Sequence, residues 1–576
     1  MIGRGTPVNA RERPRPAVRA SAASLLYRAA IALATAAIVA APSGAQGGRT
    51  RSDDAAPLPR GMARLRVTPS WTRFENRFTG PSDNGPSTVP LASAVAAESL
   101  GVAQIPGLAA AEAALRTLTG DAAFRLSLGR STAAAAARIA TTAIIAEYGL
   151  TRRLTVGALL PIVQTRTEVS VALNADDHTR ANVGPNPARI DGTQLTTRAR
   201  ATALQDQLAR VRGVLQERLN SCDANPNADP ACPTILANRG DVVSLISETT
   251  AFGSAVGVLF GASSNATPQP FAPLSGTSAE TLIDAHLTTL TERLRTYVGS
   301  TADEIVETVP VAVGPAGFAD VQQLLLSTEF GLAPDSLGAV YRLNFGDIEL
   351  GARFLLLESG AWTAARDVQS PWLRTRLSVL GLVRLGTGSP TLERMPHRYL
   401  EYGTGDGQTD LEAGALLDVG LGPRVVVMAG ARYTRQLGTV EAGRLPDEEG
   451  VVHPFTPLHG GTRRLGDVFV GEVTPRVFLG RYFGADAHYA VIMRGDDEYT
   501  AAADGGAPVR RGGFTEQRVG LGISYSTLRG SRDRIPRLPV ELSIAHIETI
   551  TGSSALVPRA SREQIELRLY YRVRRP

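Results

Sequence analysis

Ile565, Leu567, Leu569, Tyr571 and Val573 fall on one side of an extended backbone, and Gln564, Glu566, Arg568, Tyr570 and Arg572 fall on the other. The same period of two recurs at eleven earlier places. Met62–Phe78 sets Leu65, Val67, Pro69 and Trp71 against Arg64, Arg66, Thr68 and Ser70. Arg138–Tyr148, a tight turn at Leu150–Arg153 and Leu154–Leu173 read as a hairpin. In its second arm Leu154, Val156, Ala158, Leu160 and Ile162 share a face while Val169, Val171 and Leu173 take the opposite parity, and a bulge at Pro161 is the expected cause.

The alternation returns after Phe345. Ile348, Leu350, Ala352, Phe354 and Leu356 oppose Asp347, Glu349 and Arg353; Leu377, Val379, Val383 and Leu385 oppose Arg374, Arg376, Ser378 and Arg384. Leu411 to Val419 oppose Asp410, Glu412 and Asp418, and Val425 to Tyr433 oppose Arg432, Thr434 and Gln436. Val473, Val477 and Leu479 oppose Glu472, Thr474 and Arg476; Phe483 to Met493 oppose Asp486, His488 and Arg494. Val519, Leu521, Ile523 and Tyr525 oppose Glu516, Arg518, Ser524 and Ser526, and Leu538 to Ile544 oppose Glu541 and Ser543.

Twelve strands result, and their connections keep step with strand parity. Those after strands 1, 3, 5, 7 and 9 are long or carry insertions, and those after strands 2, 6 and 8 are a few residues; those after strands 4 and 10 are intermediate, the second carrying Arg529, Arg532, Arg534 and Arg537, and the link after strand 11, centred on Gly552 to Ala560, is short for its side. An even count, short turns on one side, long loops on the other and both termini at the short-turn end predict an all-β fold: an antiparallel transmembrane β-barrel of about 12 strands. The polar face would then line the lumen, with Arg64, Arg66, Arg353, Arg374, Arg376, Arg432, Arg476, Arg494, Arg518, Arg568 and His488 against Glu349, Asp410, Glu412, Glu472, Asp486, Glu516 and Glu566. A mid-membrane arginine turned to lipid would cost about 2–4 kcal/mol.

Between residues 174 and 344 the period changes. Leu204, Leu208, Val211, Leu215 and Leu219 recur at spacings of three and four, as do Ile283, Leu287, Leu290 and Leu294, so a helical insertion is expected in the second long loop. The expected organisation is strands 1–3 with a long first loop over 46–173, the insertion over 174–344, and strands 4–12 over 345–576. Cys222 and Cys232 bracket a polar, proline-containing stretch, and in an exported chain such a pair reads as a disulfide.

Residues 1–45 read as an export signal: arginine-rich to Arg28, apolar from Ala29 to Ala41, small at Ser43-Gly44-Ala45. The basic total of 60 is all arginine, the net charge is +5, and these arginines are scattered among acids without a basic run, which argues against nucleic acid. No cofactor or metal site is expected. The expected partners are a lipid bilayer, the machinery that inserts barrels, and a small-molecule solute; Tyr571 stands for the terminal aromatic that such machinery reads, since the chain ends Arg574-Arg575-Pro576.

Phe345-Gly346-Asp347-Ile348-Glu349-Leu350-Gly351-Ala352-Arg353 and Gly405-Asp406-Gly407-Gln408-Thr409-Asp410-Leu411-Glu412 resemble segments of outer-membrane transporters of hydrophobic compounds, the fatty-acid and aromatic-hydrocarbon uptake type. The resemblance implies a channel or uptake transporter in the outer membrane of a Gram-negative bacterium. Members of that family carry fourteen strands and an Asn-Pro-Ala plug, whereas this chain has twelve and its triplet Asn186-Pro187-Ala188 lies in the loop after strand 3, so no site residue is carried over. A scaffold that displays its loop insertion is the alternative. An enzyme is the third reading, because Asp486, His488, Ser524 and Ser526 share a face on neighbouring strands, but the expected answer is no catalysis.

Overall fold

The computed structural model describes residues 54–80, 87–176, 179–262, 267–325, 327, 335–336, 338–360, 362, 372–390, 397–398, 400–440, 451, 461–501, 508–528 and 539–573. The export-signal segment, the part of the connection after strand 10 that carries Arg529, Arg532, Arg534 and Arg537, and the Arg574-Arg575-Pro576 tail lie outside the described residues.

Twelve strands form the wall: β1 (Met62–Phe74), β2 (Ser131–Gly149), β3 (Leu154–Leu173), β4 in an upper segment (Val340–Phe345) and a lower one (Ile348–Ser359), β5 (Leu373–Leu385), β6 (Asp410–Leu421), β7 (Val425–Gln436), β8 (Val468–Phe478), β9 (Phe483–Arg494), β10 (Phe514–Ser526), β11 (Val540–Gly552) and β12 (Ser561–Arg572). Each pairs antiparallel with its sequence neighbour. β12 pairs with β1, so no edge is left and the sheet is a closed antiparallel barrel. The alternation therefore located all twelve staves.

Burial is inverted relative to a water-soluble sandwich. Leu521 and Ile523 on the outside are 72% and 62% exposed, whereas Arg64 and Glu566 on the inside are each 3% exposed. Apolar side chains cover the outer surface and ion pairs fill the interior.

The bulge expected at Pro161 is not there. The β2–β3 pairing runs without a register shift from Ser131 opposite Leu173 to Gly149 opposite Thr155. Val169, Val171 and Leu173 keep the inward parity of Val163 and Thr165. What changes is their surroundings, because the upper part of this tall hairpin leaves the ring and packs with Ala133 and Ala135 against the helical insertion. Pro161 acts on the other edge instead. It has no N–H to donate, and there β4 breaks into its two segments, with the Gly346 N–H donating to the Pro161 carbonyl at 2.8 Å.

Two boundaries also differ from expectation. β2 begins at Ser131 rather than Arg138, since an alanine run of weak strand propensity is held there by packing on the helices. β1 stops at Phe74, and Asn76–Phe78 turns away to pair with Thr88–Pro90.

Above the ring sit α1 (Ala109–Thr119) from the first long loop, and α2 (Gln194–Ala224), α3 (Cys232–Ala237), α4 (Arg239–Phe260), α5 (Ser278–Val298) and α6 (Phe318–Leu325) from the second. Leu204, Leu208, Val211, Leu215 and Leu219 of α2 and Ile283, Leu287, Leu290 and Leu294 of α5 are buried in one core with Phe252 and Phe260 of α4. Leu108, at the N-cap of α1, and Leu115 and Leu118 within it join that core, so the two loops build a single helical body. α4 has 22 residues, and with an 18-residue stretch of mean hydropathy 1.5 it is long and apolar enough to cross a membrane, which the sequence reading did not allow for; here its buried side packs on α1 and α2. A disulfide joins Cys222 to Cys232, tying the end of α2 to the start of α3.

Candidate functional site: the barrel lumen

Because inward side chains recur at every second residue of each strand, the lumen is lined by one parity of all twelve staves. Its charges meet as cross-strand clusters. On β12, β1 and β2, Arg64 pairs with Glu147 at 2.5 Å and Arg66 with Glu566 at 2.7 Å; Arg568 reaches Glu566 at 3.0 Å, and Arg353 of β4 reaches Glu147 at 3.0 Å. On β4, β5 and β6, Arg384 pairs with Glu349 at 3.0 Å and Asp410 at 2.9 Å, with Glu412 4.0 Å away. Further round, Arg432 pairs with Glu472 at 2.9 Å, Arg476 with Asp486 at 3.4 Å and Arg518 with Glu516 at 2.6 Å.

Arg494 instead turns to Asp497 at the upper rim, and Arg374 and Arg376 stack on Trp362 at the lower rim, 5.1 and 4.2 Å from its ring centre. Glu147 and Arg384 are central to two clusters. Arg384 was read as inward from its parity, but Glu147 was missed because β2 carries so little polar contrast.

The segment before β1 folds back into this lumen, which the strand pattern gave no means to foresee. The Ala55 N–H donates to both carboxylate oxygens of Asp418 on β6 at 3.0 and 3.1 Å, and the Ala55 carbonyl accepts the Ser378 hydroxyl of β5 at 2.6 Å. The Leu58 N–H donates to Thr155 Oγ1 of β3 at 2.8 Å, while Asp54 pairs with Arg568 at 3.2 Å. Ala55 and Leu58 are buried. Residues 54–59 thus cross the end of the barrel where the termini lie, tied to β3, β5, β6 and β12.

At the other end the loop after β5 dips inward. Thr165 and Thr167 of β3 donate to the carbonyls of Tyr402 and Leu400 at 3.0 and 2.9 Å, and Tyr402 meets Phe74 edge-on with ring centres 5.4 Å apart. Asn186 of the Asn-Pro-Ala triplet is buried in the helical body, where its side-chain amide donates to the Leu259 and Gln269 carbonyls at 2.8 Å each.

Part of the lumen wall is apolar. Ile145, Leu159, Leu380, Leu382 and Leu416 point inward from β2, β3, β5 and β6, beside Gly157 and Gly351, which lie directly opposite each other on β3 and β4. These residues border a small cavity of about 40 Å³ on the inner side of the β3–β4 pairing, whose ladder is unbroken from Glu349 opposite Leu159 to Phe354 opposite Leu154. A second cavity, of about 90 Å³, lies near the turn end between Arg476, Ser524, Glu541 and Arg568.

The residues weighed for catalysis are not assembled. His488 lies opposite Gly520, and Ser524 lies opposite Gly484, four residues further along and about 13 Å away at strand spacing. His488 Nδ1 is 3.0 Å from Thr474 Oγ1, Asp486 is engaged by Arg476, and the Ser526 hydroxyl donates to Glu541 at 3.0 Å.

No family model and no curated protein matches the chain. Among solved structures it is similar to an outer-membrane channel from Pseudomonas putida F1, at 7% identity over 91% of this chain and 100% of that one, TM-score 0.37. It is also similar to the Pseudomonas putida toluene transporter TodX, at 10% identity over 93% and 100%, TM-score 0.23. A third is a Pseudomonas aeruginosa FadL homologue, at 9% over 89% and 90%, TM-score 0.24. The family resemblance read from the sequence is met in these proteins as a loose structural likeness, and the barrel itself rests on the closed pairing described above.

Proposed function

We propose that the chain spans the outer membrane of a Gram-negative bacterium after signal-directed export, with its turns in the periplasm, and passes small solutes that include hydrophobic compounds. The observation that carries this reading is the apolar inner patch of Ile145, Leu159, Leu380, Leu382 and Leu416 beside the Gly157–Gly351 pair, in a lumen otherwise lined by charge. Residues 54–59 lie across one end of the lumen and the Leu400–Tyr402 loop across the other, and between them the apolar patch gives a hydrophobic solute a stretch of wall free of charge. The lumen charges would then hold the barrel's shape rather than select ions, since each cluster pairs both signs. Solute, bilayer and insertion machinery are the partners of this reading, with no catalytic step.

The test is transfer into reconstituted vesicles of a small aromatic hydrocarbon and, separately, of a sugar of similar size. The wild-type chain should accelerate entry of the hydrocarbon more than that of the sugar, and Gly157→Val should slow the hydrocarbon while leaving heat-modifiable gel migration intact. Faster sugar than hydrocarbon entry, or a Gly157→Val variant indistinguishable from wild type, would overturn passage along the apolar patch. The scaffold alternative draws on the same filled lumen and predicts no entry of either solute.

A further inference from the structure

The outward parity of β1, β2 and β3 carries a row that lumen transport does not use. Arg73 lies directly opposite Arg138, and Arg138 directly opposite Arg166, so three guanidinium groups stand side by side on adjacent strands outside the barrel. All three are exposed. Arg166 pairs with Glu168 at 2.6 Å, while neither Arg73 nor Arg138 makes an ion pair among the described residues. Like charges directly opposite across strands are unfavourable unless something anionic lies between them.

The height of the row says what that anion is. Below it, on the same parity, Trp71, Pro69, Val67, Leu65 and Ala63 of β1 descend beside Ala140, Thr142, Ile144, Ala146 and Tyr148 of β2. Eight residues separate Ala63 from Trp71, about 27 Å along the strand and about 21 Å along the membrane normal at a tilt near 40°. Tyr148 at the bottom and Trp71 at the top mark the two interfaces of an apolar band of about 25 Å. Arg73 is one pleat above Trp71, at headgroup level on the long-loop side.

We infer that the Arg73–Arg138–Arg166 row binds the phosphates of the outer-leaflet glycolipid, the diphosphorylated diglucosamine of lipid A, with Trp71 seated against its acyl chains. Arginine suits this ligand because its planar fork gives paired hydrogen bonds to phosphate oxygens, and two phosphates on a sugar backbone match a row of cations better than one. The inference rests on the outer-membrane orientation proposed above.

The experiment titrates the full-length, detergent-folded protein with diphosphoryl lipid A, monophosphoryl lipid A, phosphatidylglycerol and inorganic phosphate, comparing wild type with an Arg73→Gln/Arg138→Gln/Arg166→Gln variant and with Arg153→Gln in the opposite turn as control. Wild type and control should prefer diphosphoryl lipid A to phosphatidylglycerol by about tenfold or more, with the monophosphoryl form between, and the triple variant should lose that preference. Equal binding of both lipids by wild type, undiminished lipid A binding by the triple variant, or competition by inorganic phosphate as strong as by lipid A would overturn it. Flotation with vesicles and heat-modifiable migration are read on the same samples. Insertion without lipid A preference defeats this inference alone, whereas failure to insert defeats the membrane reading as well.

Discussion

At the residue scale the lumen is governed by the cost of burying charge. Glu472 and Arg432 are both buried, so Glu472→Ala leaves a guanidinium without its carboxylate and should cost about 3–5 kcal/mol, whereas the paired change Glu472→Leu with Arg432→Met should be near neutral. Denaturant titration of the detergent-folded barrel separates the two. Asp418 is different, because its partners are backbone N–H and not an arginine at bonding distance. Asp418→Ala should free residues 54–59 and raise single-channel conductance without loss of the fold; unchanged conductance would mean that the segment does not limit axial passage. The inward or outward side of each charge was legible from parity, since a strand has only two faces. The partner of each charge was not, because pairing depends on register between strands, and Glu147 stayed hidden in a strand built mostly of alanine, isoleucine and threonine.

At the element scale, the strands declared themselves wherever one face met an apolar medium and the other a charged interior. They misled where a strand left the ring. In the β2–β3 hairpin the apolar residues swap sides above Thr165 although the pleat is continuous, so a change of surroundings imitated a bulge. The helical body was legible through its spacing of three and four, but the enrolment of α1 from a different loop was not, because nothing local to α1 encodes its distant partner. Cys222→Ser should loosen the junction of α2 and α3 by about 2–3 kcal/mol and open residues 225–231 to protease, leaving the barrel's gel migration unchanged.

The α4–α5 contact adds a pH dependence. Burial pushes Glu248 up, but hydrogen bonds from His286 and Arg293 hold its carboxyl below the ordinary range, and hydrogen bonds from Tyr297 and Arg293 do the same for Asp241. Carboxyls lowered in the folded state contribute stability that is complete above their unfolded values, about 4, and lost as pH falls through the lower folded ones. Hydrogen exchange in α4 and α5 should therefore rise below about pH 4; a rise between pH 5 and 8 instead would point to another group.

At the scale of the whole molecule, an outer surface of leucine, isoleucine and valine around a core of ion pairs is stable only in an apolar surround. The ring, the segment across its turn end and the helical body over its loop end then form one arrangement: a wall held in shape by internal charge, crossed at its turn end by residues 54–59 and apolar inside around Gly157 and Gly351. The most direct test of the membrane-spanning barrel is a cysteine scan of residues 519–525 on β10, carrying spin labels in reconstituted vesicles. Oxygen accessibility should alternate, high at Val519, Leu521, Ile523 and Tyr525 and low at Gly520, Gly522 and Ser524. A flat profile, or one in which the odd-numbered positions are reached by water-soluble relaxation agents instead of oxygen, would contradict it.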